Sequence, residues 1–105
     1  MNGSDFSRLI DATAERLQRL TATKGAEYAN SSNQLANFGR LAERLGLKPE
    51  AVILVYLTKH LDAIDSYVRT GQVHSEPIEE RIDDAILYLI LLKASIGCTT
   101  NHLRE

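Results

Sequence analysis

Five carboxylates crowd the stretch EPIEERIDD, residues 76–84. Laid out at about 100° per residue, Glu80, Asp84, Leu87, Tyr88 and Leu91 fall on one helical stripe, with Glu79 and Asp83 well round to the side. Acids near a helix N-terminus are favoured by the macrodipole, but that benefit fades beyond the first turn, and Asp84 stands two turns in. Asp84 either faces something specific, such as a metal ion, a lysine or a polar loop, or is one more acid favoured near the helix N-terminus. An oxygen-rich helical site suits Mg²⁺ or Mn²⁺ rather than zinc. His60, His74 and His102 share no zinc-ligand spacing, and the single cysteine, Cys98, has no partner motif. No GxSxG turn and no phosphate-cradling glycine loop is present, and nothing near Cys98 in sequence would activate it.

Two further groups carry polar chemistry in apolar company. Lys59 lies on a strip with Val52, Val55, Tyr56 and Ala63. There it either snorkels, its stem over the apolar surface and its ammonium in water, or packs beside a carboxylate or a bound phosphate. Asp62 and Asp65 nearby offer further oxygens. The stretch KGAEYANSSNQLANF, residues 24–38, is richer than a bare connector needs to be. Either it folds over a site, Tyr28 or Phe38 covering a base while asparagines donate hydrogen bonds, or Tyr28 and Phe38 plug the end of a bundle and Glu27 pairs with a lysine.

Four helices must position these groups. The first is expected from about Asp5 to Lys24, capped by Ser4 and stopped by Gly25, with Phe6, Leu9, Ile10, Leu17 and Leu20 as its apolar stripe. A short helix follows from about Asn33 to Leu45 and ends at Gly46. The third starts with Pro49 in its first turn and continues to Thr70, where Gly71 closes it; Leu54, Leu57, Leu61, Ile64 and Val68 form its expected core face. The fourth starts at Pro77 and is expected to stop at Gly97. No alternating pattern of strand type appears. The expected fold is all-α, an antiparallel bundle of three long helices and one short one over residues 1–97, with a tail over 98–105 that is mobile or pairs with a neighbouring subunit.

From Ala85 to Leu92 every residue is apolar or tyrosine, so the fourth helix is apolar all round and must be covered on every side. A chain of 105 residues has too few other helices to do this, and a homo-oligomer with an isologous interface is expected. Composition agrees with a folded domain: 44% of residues are hydrophobic and 25% charged. A net charge of -2 argues against a partner in duplex nucleic acid, because no basic stripe is available for phosphates. The longest apolar run is too short to span a bilayer, no signal-peptide pattern opens the chain, and one cysteine fits a reducing compartment, so no membrane partner and a cytoplasmic location are expected.

The order K-x-x-E-Y-A (Lys24, Glu27, Tyr28, Ala29), N-F (Asn37, Phe38), K-H (Lys59, His60) and E-E-x-x-D-D-x-x-x-Y (Glu79, Glu80, Asp83, Asp84, Tyr88) resembles small phage-encoded proteins. These belong to or border on the MazG-like and nucleotide-modification-associated all-α nucleotide pyrophosphohydrolases. The resemblance covers residues from about 5 to 96 through short motifs. It implies an oligomeric helical protein in the host cytoplasm that binds a nucleotide or nucleotide-derived small molecule. Glu80, Asp84 and Asp62 would hold Mg²⁺. Glu27, Glu80 and Asp84 would form the catalytic set, and Lys24, Tyr28, Asn37, Phe38, Lys59 and Tyr88 the nucleotide contacts. Catalytic members carry E-x-x-E on one helix and E-x-x-D on the next. Here Arg81 stands three residues before Asp84, and Asp62 and Asp65 replace the glutamate pair. Three readings therefore stand together: a Mg-dependent hydrolase of nucleoside triphosphates; a non-catalytic protein that sequesters nucleotides or cyclic or ADP-ribose-like immune signals; and a helical adaptor with no small-molecule site.

Overall fold

A computed structural model of the chain describes residues 1–28, 31–72 and 76–100; the side chains of residues 22–28, 31–33 and 98–100 lie outside the description, as do residues 29–30, 73–75 and 101–105 altogether. Four helices follow in order, α1 (Gly3–Tyr28), α2 (Ser31–Leu45), α3 (Pro49–Thr70) and α4 (Ile78–Thr100), and no strand occurs among the described residues. The all-α expectation and the pattern of three long helices and one short one are borne out. By its internal contacts the chain divides into two units, Met1–Gln34 and Leu35–Glu105.

In the first unit, α1 begins earlier than expected, because Asn2 and not Ser4 is the cap. The Asp5 backbone N–H donates to Asn2 Oδ1 at 2.8 Å, and the Asn2 N–H donates back to Asp5 Oδ2 at 3.3 Å. This reciprocal pair satisfies donors that the first turn would leave open. Ser4 instead accepts a hydrogen bond from Arg8. The helix runs through Gly25 to Tyr28, so the glycine does not stop it. Of the expected stripe Leu17 is buried and Leu20 half-buried, whereas Phe6, Leu9 and Ile10 are exposed in a single chain.

The second unit holds the rest of α2, with α3 and α4. Gly46 adopts φ 70°, and the Leu47 N–H reaches the Ala42 carbonyl at 2.9 Å, a left-handed termination that turns the chain towards α3. Pro49 fills the first turn of α3, and Gly71, at φ 73°, ends it with its N–H on the Tyr67 carbonyl at 2.7 Å. These boundaries match the expected ones. The expected stop at Gly97 is not observed; α4 passes through it to Thr100, taking up three residues assigned to the tail. A glycine within a helix costs only about 1 kcal/mol, so it ends one only where the chain needs a left-handed residue.

Helices α3 and α4 pair antiparallel. Arg81 meets His60 at one end of the pair, and at the other the Ser95 hydroxyl donates to Glu50 Oε2. Along the seam Glu50, Ile53, Leu57 and His60 recur at steps of three and four on α3, as do Arg81, Ala85, Tyr88, Leu92 and Ser95 on α4, the spacing that keeps one face of each helix towards its neighbour. The core of α3 is therefore rotated from the expected face. Its buried residues are Val52, Ile53 and Leu57, while Leu54, Leu61 and Val68 are exposed. Ile53, at 0% exposure, had no place in the sequence-derived stripe. A period of 3.6 lets two adjacent stripes share Leu57 and Ile64, and large apolar residues occupy both.

Candidate functional site

Four rings converge in the second unit. Phe38 of α2 stands edge-on to Tyr56 of α3, centroids 5.5 Å apart, and to Tyr88 of α4 at 6.3 Å. Tyr56 and Tyr88 lie parallel, 7° between planes and 6.0 Å between centroids, and the His60 imidazole sits 5.3 Å from Tyr88. These are the offset-stacked and edge-to-face geometries that the ring quadrupoles favour. The helices place them simply: Tyr56 and His60 are one turn apart on α3, and Tyr88 faces them across the seam. All four side chains are half-buried, so each packs while keeping part of its surface in water.

Charged groups border the cluster. The Lys59 ammonium lies over the Tyr56 ring, 5.7 Å from its centroid, a cation–π arrangement, and its residue is exposed. Of the two expectations for Lys59, this is the snorkelling one, with an aromatic face added. Arg81 lies in the seam, Nη1 3.5 Å from His60 Nδ1 and Nη2 3.6 Å from Glu76 Oε1. The residue that broke the acidic pair in the sequence thus fills a position against α3. Asp84, one turn before Tyr88, is half-buried.

The structure brings together Phe38, Tyr88 and, through Tyr56, Lys59, three of the residues expected to contact a nucleotide. Asn37 accepts a hydrogen bond from Arg40 within α2. Lys24, Glu27 and Tyr28 have side chains outside the described residues; their backbone belongs to the end of α1, so helices enter the 24–38 stretch from both sides and only residues 29–30 separate them.

The acids are arranged differently. Glu80 is exposed, whereas Asp83, placed to the side by the helical layout, is 6% exposed and is the buried acid of α4. Asp62 is exposed, and two residues on from His60 it lies roughly 200° further round α3, on the side away from α4. Among the described residues no three His, Cys, Asp or Glu side chains converge as ligands for a metal ion. Glu80, Asp84 and Asp62 form no such group, and no chemical step is derived through a metal ion. Nor does any buried side-chain nitrogen or oxygen among the described residues lack a hydrogen-bond partner, so the groups offered to a ligand are the water-facing ones.

Compared with protein-family models, with curated proteins and with solved structures, the chain matches none. Among the described residues no helix is long and apolar enough to cross a membrane.

Sequence reading missed Tyr56 and His60 as site residues, and Arg81 was read only as a lost acid. A tyrosine and a histidine four apart on a helix, flanking Lys59, were the available signal, since residues at that spacing share a face.

Proposed function

We propose that this chain binds a nucleotide or nucleotide-derived small molecule at the Phe38–Tyr56–His60–Tyr88 cluster, as part of a homo-oligomer and without turning it over. The observation that carries the reading is the convergence of four half-buried rings from three helices beside an exposed lysine. A base stacked on such a ring gains about 1–3 kcal/mol whatever its identity, because every base has a π-face. Lys59 supplies a mobile point charge for phosphate oxygens, and the snorkelled stem lets it swing from the Tyr56 face to a ligand without a backbone change. The motif resemblance to nucleotide-handling all-α proteins supports the same class of ligand. Binding without hydrolysis is favoured over the enzyme because Arg81 occupies the place of the second acid and Asp62 lies on the side of α3 away from Glu80 and Asp84 on α4.

The test is a melt of the purified chain against mono-, di- and triphosphate nucleotides, cyclic dinucleotides and ADP-ribose, with and without Mg²⁺. A ligand at a hundred times its Kd stabilises by about 2.7 kcal/mol, readily seen in Tm. We expect one ligand class to raise Tm, Lys59→Ala and Tyr56→Ala to reduce that rise, and no pyrophosphate to be released. Pyrophosphate release would reinstate the hydrolase, and an unchanged Tm across the whole panel would leave a helical adaptor.

A further inference from the structure

Helices α3 and α4 each carry a second apolar stripe that is partly exposed to water. On α3 it is Leu54, Leu61 and Val68; on α4 it is Ile82, Leu89 and Ile96, and within each stripe the step is seven residues. All six are exposed, from 41% at Ile82 to 74% at Val68. Seven residues make nearly two turns, so each stripe runs almost straight along its helix for about 21 Å. The two stripes also share a side. His60 on α3 and Arg81, Tyr88 and Ser95 on α4 face across the seam, and Phe38 lies against Tyr56 and Tyr88 on one flank of it. Turning away from Phe38 by roughly a quarter of a circle on each helix reaches Leu54–Leu61–Val68 and Ile82–Leu89–Ile96 on the opposite flank. The hairpin therefore presents a two-helix apolar surface on the flank opposite its aromatic cluster.

We infer that this surface is covered by the same surface of a second copy of the chain, two α3–α4 hairpins closing face to face into a four-helix core. A seven-residue apolar repeat is the spacing that lets helices of different chains interdigitate along their length. It recurs on both helices of the hairpin, so two copies related by a two-fold axis would meet with the same spacing on each side, as an isologous contact uses. The area is also sufficient. The six side chains expose roughly 500 Å² per copy, at the upper end of the apolar patches that monomers tolerate. Pairing two copies removes on the order of 1,000 Å² from these residues alone, about the threshold of a stable interface. Asp65, at the edge of the α3 stripe, is paired with Arg69 at 3.1 Å within its own helix, so closing the face leaves that carboxylate with its partner.

The inference rests on the homo-oligomer part of the proposed function and is independent of the ligand. Sedimentation of the full chain from low to high micromolar concentration, with Leu61→Glu and Leu89→Glu alongside, tests it. The wild type is expected at a multiple of its 11.7 kDa chain mass, and each variant at the single-chain mass or a smaller multiple with its helical circular dichroism retained. Where a glutamate variant fails to fold, Leu61→Cys and Leu89→Cys in a Cys98→Ser background replace it, and a thiol-specific cross-linker is expected to join two chains through either position. A wild type of single-chain mass at every concentration would overturn both the face and the homo-oligomer. An oligomer of unchanged mass in both glutamate variants, or one in which neither cysteine variant cross-links between chains, would overturn the face alone.

Discussion

Replacing Ile53 by alanine is the most discriminating change to the second unit. Ile53 is fully enclosed, whereas Val55, two residues on, is 54% exposed on the same helix. Ile53→Ala deletes three carbon groups from the seam between α3 and α4. At about 0.8 kcal/mol for each, the lost transfer energy is about 2.4 kcal/mol. A residual cavity adds to this, and large-to-small changes at enclosed sites reach 2–5 kcal/mol, so about 3–4 kcal/mol is expected. Val55→Ala removes two carbons already half in water and gains helix propensity, so its net effect is below about 1 kcal/mol. Urea titration followed by circular dichroism at one fixed protein concentration measures both, and a loss of about 3 kcal/mol should lower Tm by at least about 12 °C in a unit of this size. Equal losses for the two variants, or an Ile53→Ala loss within about 1 kcal/mol of zero, would mean that α3 is rotated from its place in the structure, and the arrangement of Tyr56 and His60 would go with it.

Other expectations follow from single contacts. Gly71→Ala should cost about 1 kcal/mol, since φ is 73° there. Gly97→Ala should instead stabilise by about 0.5–1 kcal/mol, because that glycine is helical and nothing lies within 4 Å of an added Cβ; paired thermal melts report the opposite signs. Asn2→Ala should cost about 1 kcal/mol and speed amide exchange in the first turn of α1, where the cap is lost. Ser95→Ala removes the hydroxyl from Glu50 and should destabilise by about 1–3 kcal/mol in chemical denaturation. Tyr88→Phe keeps the ring contacts with Tyr56 and Phe38, so a ligand-induced rise in Tm that depends on stacking should survive it while falling with Tyr56→Ala.

Helix number and type were legible because capping and breaking chemistry is local. Pro49, Gly46 and Gly71 each act within a few residues, and the boundaries they imply are those observed. Gly25 and Gly97 misled for a related reason: a glycine marks an end only if the next residues turn away, and that depends on what the helix packs against. The rotation of α3 was not legible, since Ile53 and Leu54 are equally apolar neighbours and only α4 decides which of them is enclosed. Of the site, Phe38, Lys59 and Tyr88 were visible as aromatic and cationic residues in unusual company. Tyr56 and His60 became part of it only once Tyr88 faced them across the seam. Glu80 and Asp84 were picked out by the helical layout, which places them on one stripe; that Asp62 turns from α4 and that Asp83 is enclosed are properties of three-dimensional packing.

The Glu50–Ser95 contact joins positions 45 residues apart at the end of the hairpin remote from its connecting segment. A force that draws the C-terminal end of α4 away from the N-terminal end of α3 loads this contact early, and because the helices run antiparallel it peels them apart one turn at a time. Pulling instead between the connecting segment and that end would slide α4 lengthwise along α3 and strain many side chains at once. The hairpin is therefore mechanically weaker in one direction than in the other, and the Glu50–Ser95 contact bears on the weaker one.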